Sequence, residues 1–176
     1  MNMKKKILLA AVCFSLWSAA CSAVDGISFE GGTGQGSTRL ARIGVEWNWQ
    51  RKWFTDQRWQ LGGYWDAQLG VWDNRTGPGS IADISLTPVF RLAAADSPWY
   101  FEGAIGFHYL SDYPSRGGAP FATKFQFGDH LGVGYRFGER KAHDLSLRFQ
   151  HLSNGGIKNP NPGINLVLLR YQHHFR

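Results

Sequence analysis

Leu145-Ser146-Leu147-Arg148-Phe149-Gln150-His151-Leu152-Ser153-Asn154-Gly155-Gly156 is the stretch on which the reading of the chain turns. Leu145, Leu147 and Phe149 alternate with Ser146, Arg148 and Gln150. That period of two belongs to a half-buried strand, not to a helix. Side chains two residues apart share a face, so counting on by twos puts His151 and then Ser153 on the leucine face. A proton acceptor and a hydroxyl there cost solvation energy, and a break in an otherwise consistent pattern is where function is sought first.

Seven more segments alternate in the same way, giving eight at about 27–34, 42–50, 59–71, 83–92, 99–110, 125–137, 144–153 and 164–175. In the second, Ile43, Val45, Trp47 and Trp49 oppose Arg42, Gly44, Glu46 and Asn48. The eighth is the least regular, because Leu166 and Leu168 fall on its polar side. Across the set one face is bulky and aromatic. The other mixes glycine with Glu46, Asp66, Asp83, Arg91, Glu102, His108, Arg136 and Arg148. A soluble barrel of the lipocalin kind would turn the apolar face inward around a ligand. An eight-stranded barrel, however, has an interior only wide enough for side chains, which suits small residues and paired charges. Aromatic and aliphatic residues then face outward, toward lipid. The expected fold is all-β, an eight-stranded antiparallel transmembrane β-barrel.

The N-terminus agrees. Lys4, Lys5 and Lys6 precede an apolar run from Ile7 to Trp17, and Ser18-Ala19-Ala20-Cys21-Ser22-Ala23 follows. A charged start, a short apolar core and small residues before a cut after Ala23 describe a secretory signal peptide. The run is too short for a bilayer span of about 20 residues. Lipid attachment at Cys21 is the lesser alternative, since Ser18, three residues before it, is not aliphatic. The organisation is thus 1–23 signal peptide and 24–176 barrel. Both cysteines, Cys13 and Cys21, fall in the signal segment, so the mature chain uses no disulfide. Removing the three lysines takes Lys+Arg from 19 to 16 against 13 Asp+Glu, a net charge of +3. With an export signal and no basic run, nucleic acid is excluded as a partner.

Short turns at 95–98 and 138–141 alternate with longer connections at 74–80, 111–123 and 154–163. Outer-membrane barrels have short periplasmic turns and longer external loops. A chain entering from the periplasm sends its seventh strand outward, so His151 and Ser153 are expected at the external end, facing outer-leaflet lipid. Asn165, just across the last loop, has the parity of Val167 and Leu169 and is expected beside them. The penultimate Phe175 fits the aromatic ending common in such barrels, although Arg176 follows it.

Ester hydrolysis by serine needs a base, a group that orients the base, and donors for the oxyanion. His151 can be the base, Ser153 the nucleophile and Asn165 the orienter. Asn154, Gly155, Gly156 and Asn161 can present backbone or amide donors. On a straight strand the histidine and serine side chains stand too far apart for a hydrogen bond of about 3 Å, so a bend near 154–156 is required. His-x-Ser is common, a histidine at a membrane rim is often an amphipathic anchor, and Ser-Asn-Gly-Gly is an ordinary turn.

The longer segment His151-Leu-Ser153-Asn154-Gly-Gly156-Ile-Lys-Asn-Pro-Asn161-Pro-Gly163-Ile-Asn165 resembles the active-site segment of the lipid A 3-O-deacylases of the PagL type. Weaker echoes lie in Gly63-Tyr-Trp-Asp66-Ala and Leu86-Thr-Pro-Val-Phe90. The resemblance implies an outer-membrane barrel with a serine hydrolase site on its outer wall. It implies removal of the ester-linked 3-hydroxyacyl chain at position 3 of lipid A, with no metal or other cofactor. The histidine and serine carry over to His151 and Ser153, and the oxyanion positions to Gly156 and Asn161. The family's usual acidic triad member is a Glu where this chain has Asn165. An amide accepts from an imidazole N–H but cannot offset imidazolium charge, which leaves Asp66 and Asp129 as conceivable acids. Implied partners are lipid A or lipopolysaccharide and outer-membrane lipid; a homodimer is left open. Acyl chains are expected along Trp47, Trp65, Phe149 or Leu169, and the lipid's phosphates near Lys158, Arg75, Arg116 and Lys124. Two other functions stay open: a structural or adhesive barrel without activity, and an outer-membrane acyltransferase or phospholipase.

Overall fold

The structure, a computed structural model, describes residues 24–74 and 79–175. The signal segment with Cys13 and Cys21 lies outside them, as do Arg75 and Arg176. Eight long strands form the barrel: β1 (Gly26–Gly34), β2 (Arg39–Asn48), β3 (Trp59–Asn74), β4 (Gly79–Ala94), β5 (Trp99–Leu110), β8 (Phe125–Phe137), β9 (His143–Ser153) and β10 (Ile164–His174). A two-stranded clip, β6 (Ser115–Arg116) and β7 (Ala119–Pro120), occupies the connection between β5 and β8. Every barrel neighbour is antiparallel, and β1 closes the sheet on β10 from Gly26↔His174 to Gly34↔Leu166. Among the described residues no helix is long and apolar enough to cross a membrane.

The alternation sorts the side chains as expected. Along β9, Leu145, Leu147 and Phe149 are 43%, 52% and 54% exposed, whereas Asp144, Ser146, Arg148 and Gln150 are buried. The exposed band runs round the wall through Ile43, Leu69, Leu86, Phe107, Leu131 and Val167. Trp47, Trp59, Trp99 and Tyr135 stand on that outer face toward the end that holds the termini. Such a band of apolar side chains flanked by aromatics is the outer face of a transmembrane barrel.

The lumen is filled in two layers. The middle is a lattice of ion pairs: Arg42 to Glu30 and Asp83 (both 2.9 Å), Arg148 to Glu30 (2.9 Å) and Glu102 (2.6 Å), Arg170 to Asp66 (2.7 Å), and Arg91 to Asp144 (3.2 Å). Buried charges persist only where paired and hydrogen-bonded. Toward the end carrying His151, an apolar plug of Leu40, Trp72, Ile81, Leu110, Phe121, Leu152, Ile164, Leu166 and Leu168 closes the lumen. This accounts for the irregular eighth segment: Leu166 and Leu168 face inward because the lumen is apolar at that height.

The connections depart from the expected lengths in two places. Strands β3 and β4 run on to Asn74 and Gly79, which shortens the connection read at 74–80. The connection from 49 to 58, at the end with the termini, is long. Trp53 bridges back to Leu61, and Trp49 packs edge-on against Trp53, Trp65 and Phe90 at 6.2, 6.4 and 4.9 Å between ring centroids.

Candidate active site

Strand register carries His151 and Asn165 to one place. They are direct partners on β9 and β10, and both side chains stand on the outer face. His151 Nδ1 lies 2.7 Å from Asn165 Oδ1. A carboxamide oxygen only accepts, so Nδ1 carries the proton and Nε2 presents its lone pair. Asn165 is itself held, its N–H donating to Gln35 Oε1 at 3.2 Å from the β1–β2 connection. The far edge of the imidazole lies over Gly163. A Cβ at that position would meet His151 Cε1 at 2.7 Å and Nε2 at 3.2 Å. Gly163 also has φ +61, in the left-handed region that favours glycine.

Ser153 ends β9 on the same face, opposite Phe127 of β8. Its Oγ accepts a 3.4 Å hydrogen bond from Gly155 N–H, and no hydrogen bond joins it to His151 among the described residues. The chain turns immediately after it, where Gly155 and Gly156 take φ +65 and +79. Asn154 points inward and is fully buried. It ties the loop together: its N–H donates to Asn161 Oδ1 (3.0 Å), its Nδ2 to Lys158 O (2.7 Å), and its Oδ1 accepts from Gly156 N–H (3.0 Å). The N–H groups of Asn154 and Gly156 are thus engaged within the loop. Asn161, half-buried, keeps the hydrogens of its amide nitrogen to give.

The two acids left open in the sequence separate. Asp66 lies in the lumen, paired with Arg170 at 2.7 Å. Asp129 stands exposed on the outer face, the direct β8 partner of His151. Phe149 and its partner Val167 flank the cluster on the lipid side, and Leu169 lies deeper, opposite Leu147. Trp47 and Trp65 pair near the opposite rim, away from it. Of the loop cations, Lys158 is exposed within the 154–163 connection, and Lys124 Nζ donates to Ser111 O at 2.6 Å. Arg116 lies in the clip, half-buried. Sequence reading passed over three supports: Gln35, Gly163, and the Ala122 N–H that donates to Pro160 O at 2.9 Å. Gln35 and Ala122 have no periodic or motif signal, because each acts through a contact with a segment distant in sequence; Gly163 lies within the 151–165 segment, but its place against the imidazole is visible only in the fold. Among the described residues no three His, Cys, Asp or Glu side chains are grouped to hold a metal ion.

Fold and outer face define a class: a small transmembrane β-barrel with a polar cluster built on its lipid-facing wall. A sequence model described as Lipid A 3-O-deacylase (PagL) matches residues 39–174. The chain is 31% identical to Lipid A deacylase PagL of Pseudomonas aeruginosa over 96% of its own length and 98% of that protein's. It is 35% identical to Lipid A deacylase PagL of Bordetella bronchiseptica over 66% of this chain and 68% of that one. A crystal structure of the outer membrane enzyme PagL superposes with a TM-score of 0.77 at 27% identity, covering 85% of this chain and 99% of that one. Neisserial surface protein A shares the fold alone, at a TM-score of 0.50 and 11% identity over 86% and 95% of the two chains. The chain belongs to the lipid A 3-O-deacylase (PagL) family, and it is a barrel of the outer membrane.

Proposed function

We propose that this protein is a serine-type lipid A 3-O-deacylase that works on the outer leaflet. The observation that carries the reading is the outward-facing His151–Asn165 pair, two residues along β9 from Ser153. Ser153 Oγ attacks the carbonyl carbon of the ester at position 3 and gives its proton to His151 Nε2. The carbonyl oxygen becomes an oxyanion within reach of donors from the 154–163 loop, with the Asn161 amide nitrogen the first of them and Asn154 and Gly156 framing the turn. Collapse expels the sugar oxygen, which takes the proton from Nε2. Water, deprotonated by His151, then releases the 3-hydroxy fatty acid and restores Ser153. The step requires the Ser153 hydroxyl to leave Gly155 N–H and reach His151 Nε2. The bilayer itself delivers substrate, since the acyl chain lies against the same wall as Phe149 and Leu169.

Mass spectrometry of lipid A from cells with and without the protein tests the reading. Loss of one 3-hydroxyacyl group is expected with wild type, and no loss with Ser153→Ala or His151→Ala although both still form heat-modifiable barrels. Unaltered lipid A would point to a non-enzymatic barrel, altered phospholipid instead of lipid A to an acyltransferase or phospholipase. Full activity in either variant would remove the mechanism.

A further inference from the structure

The end of the lumen away from His151 opens into a cavity of about 490 Å³. It lies where the termini and the short turns are, at the periplasmic mouth of the barrel. Cations reach it from three sides. Lys52 comes from the 49–58 connection, its stem folded over Gly62, where a Cβ would meet Lys52 Cγ at 3.7 Å. Arg136 comes from β8, and Arg140 and Lys141 from the turn that follows it. Arg91 of β4, buried, lies deepest, and His174 of β10 stands in the wall. No Asp or Glu lines the cavity. Asp96 and Glu139 are exposed on the adjoining turns, outside the lining.

The carboxylate that could answer this charge is already engaged. Asp144, the β9 partner of Arg136, accepts from Arg91 at 3.2 Å and from the Tyr100 hydroxyl at 3.0 Å, and His174 Nε2 lies 2.9 Å from it. Arg136 Nε is buried with no hydrogen-bond acceptor among the described residues. Its guanidinium and that of Arg91 share one ring, 5.5 and 4.0 Å from the centroid of Tyr100. Arg140 and Lys141 take φ +51 and +60, a backbone that residues other than glycine adopt at a cost and only where the surroundings impose it. Both side chains are thereby brought to the mouth. Like charges gathered round one cavity repel each other, and a bound anion turns that repulsion into attraction. We propose that the cavity is a binding site for an oxyanion of the phosphate class, distinct from the His151 cluster at the other end of the barrel. Guanidinium forks and ammonium groups match phosphate oxygens. A tetrahedral phosphate accepts from three sides at once, as these cations are placed, whereas a carboxylate accepts in one plane. The phosphate can belong to a headgroup of the inner leaflet or to a soluble phosphate ester in the periplasm.

The proposal stands apart from the deacylase reading, and so does its test. Wild type, R136Q, the double variant R140Q/K141Q and K158Q are folded in maltoside micelles, which carry no phosphate, and titrated calorimetrically with pyrophosphate at low salt. Wild type is expected to bind saturably at one site, with an affinity that falls as salt is added. R136Q and R140Q/K141Q should each bind about tenfold more weakly, the scale of one lost charge-assisted hydrogen bond. K158Q, which alters a cation at the opposite end, should bind as wild type does. Arg140 and Lys141 are exposed, so the double variant keeps the test decisive even where R136Q fails to fold. Native mass spectrometry after addition of phosphatidylglycerol separates the two sources. Lipid retained by wild type and not by R140Q/K141Q assigns the site to a headgroup; pyrophosphate binding with no lipid retained assigns it to a soluble ester, and either result upholds the proposal. Absence of saturable pyrophosphate binding overturns it, and so does wild-type affinity in folded R140Q/K141Q.

Discussion

At the scale of single residues, the site depends on small groups that hold one imidazole. Asn165 accepts from Nδ1, and a glutamate at this position has the reach and acceptor to do the same. Asn165→Glu is therefore expected to retain or raise turnover, measured by fatty acid release. A folded but inactive variant would show that Asn165 is not the orienter. Gly163 has the opposite character. A methyl group there would press on His151 Cε1 at 2.7 Å and force an alanine into φ +61. Gly163→Ala should cut activity at least tenfold, since misplacing a catalytic group by about 1 Å can cost two decades of rate. The barrel should fold as before, which heat-modified gel mobility would verify.

At the scale of elements, strand β9 and the loop after it are braced from two sides. The β1–β2 connection reaches Asn165 through Gln35, and the chain after the β6–β7 clip reaches the loop through Ala122 N–H and Pro160 O. Ala122→Pro removes that donor without adding bulk to the lumen, so a several-fold loss of activity with unchanged thermal stability is expected. Activity equal to wild type would show that the loop holds its shape alone, through Asn154. Strand β10 stands where the sequence places it, and its irregular alternation has a physical cause: the inner face is not polar at every height. Leu166 and Leu168 keep strict parity, but they enter the apolar plug. Leu166→Ala should destabilise the barrel by about 2–4 kcal/mol through the cavity left in that plug, as read from urea unfolding in lipid vesicles.

For the whole molecule, the lumen is a core and not a channel. The ion-pair lattice centred on Arg148 fills its middle, and the plug closes one end. Planar bilayers holding the protein should show no steady conductance, and discrete open currents would contradict a filled lumen. Arg148→Met would remove the guanidinium that bonds both Glu30 and Glu102, leaving Arg42 alone on the first and Arg91 alone on the second. A loss of about 3 kcal/mol, the low end for breaking a buried pair, is expected because each carboxylate keeps one cation, again measured by unfolding in vesicles.

Parity explains what was legible from the amino-acid order alone. Strand count, closure as a barrel, the lipid-facing direction of Leu145, Phe149 and His151, and the pairing of Asn165 with His151 all follow from alternation, which is local and survives without knowledge of neighbours. The reach of Gln35 to Asn165, the fit of the imidazole on Gly163, the turning inward of Asn154 and the lumen plug could not be read that way. The first depends on closure of the barrel, which brings residues 130 positions apart within hydrogen-bond distance, and the others on how the 154–163 loop folds back and on which side chains fill the lumen at that height. Asp129 and Asp66 make the contrast plainest. Both were open as acids for His151, and only the order of strands around the barrel sent one into the lumen against Arg170 and left the other on the outer wall beside the imidazole.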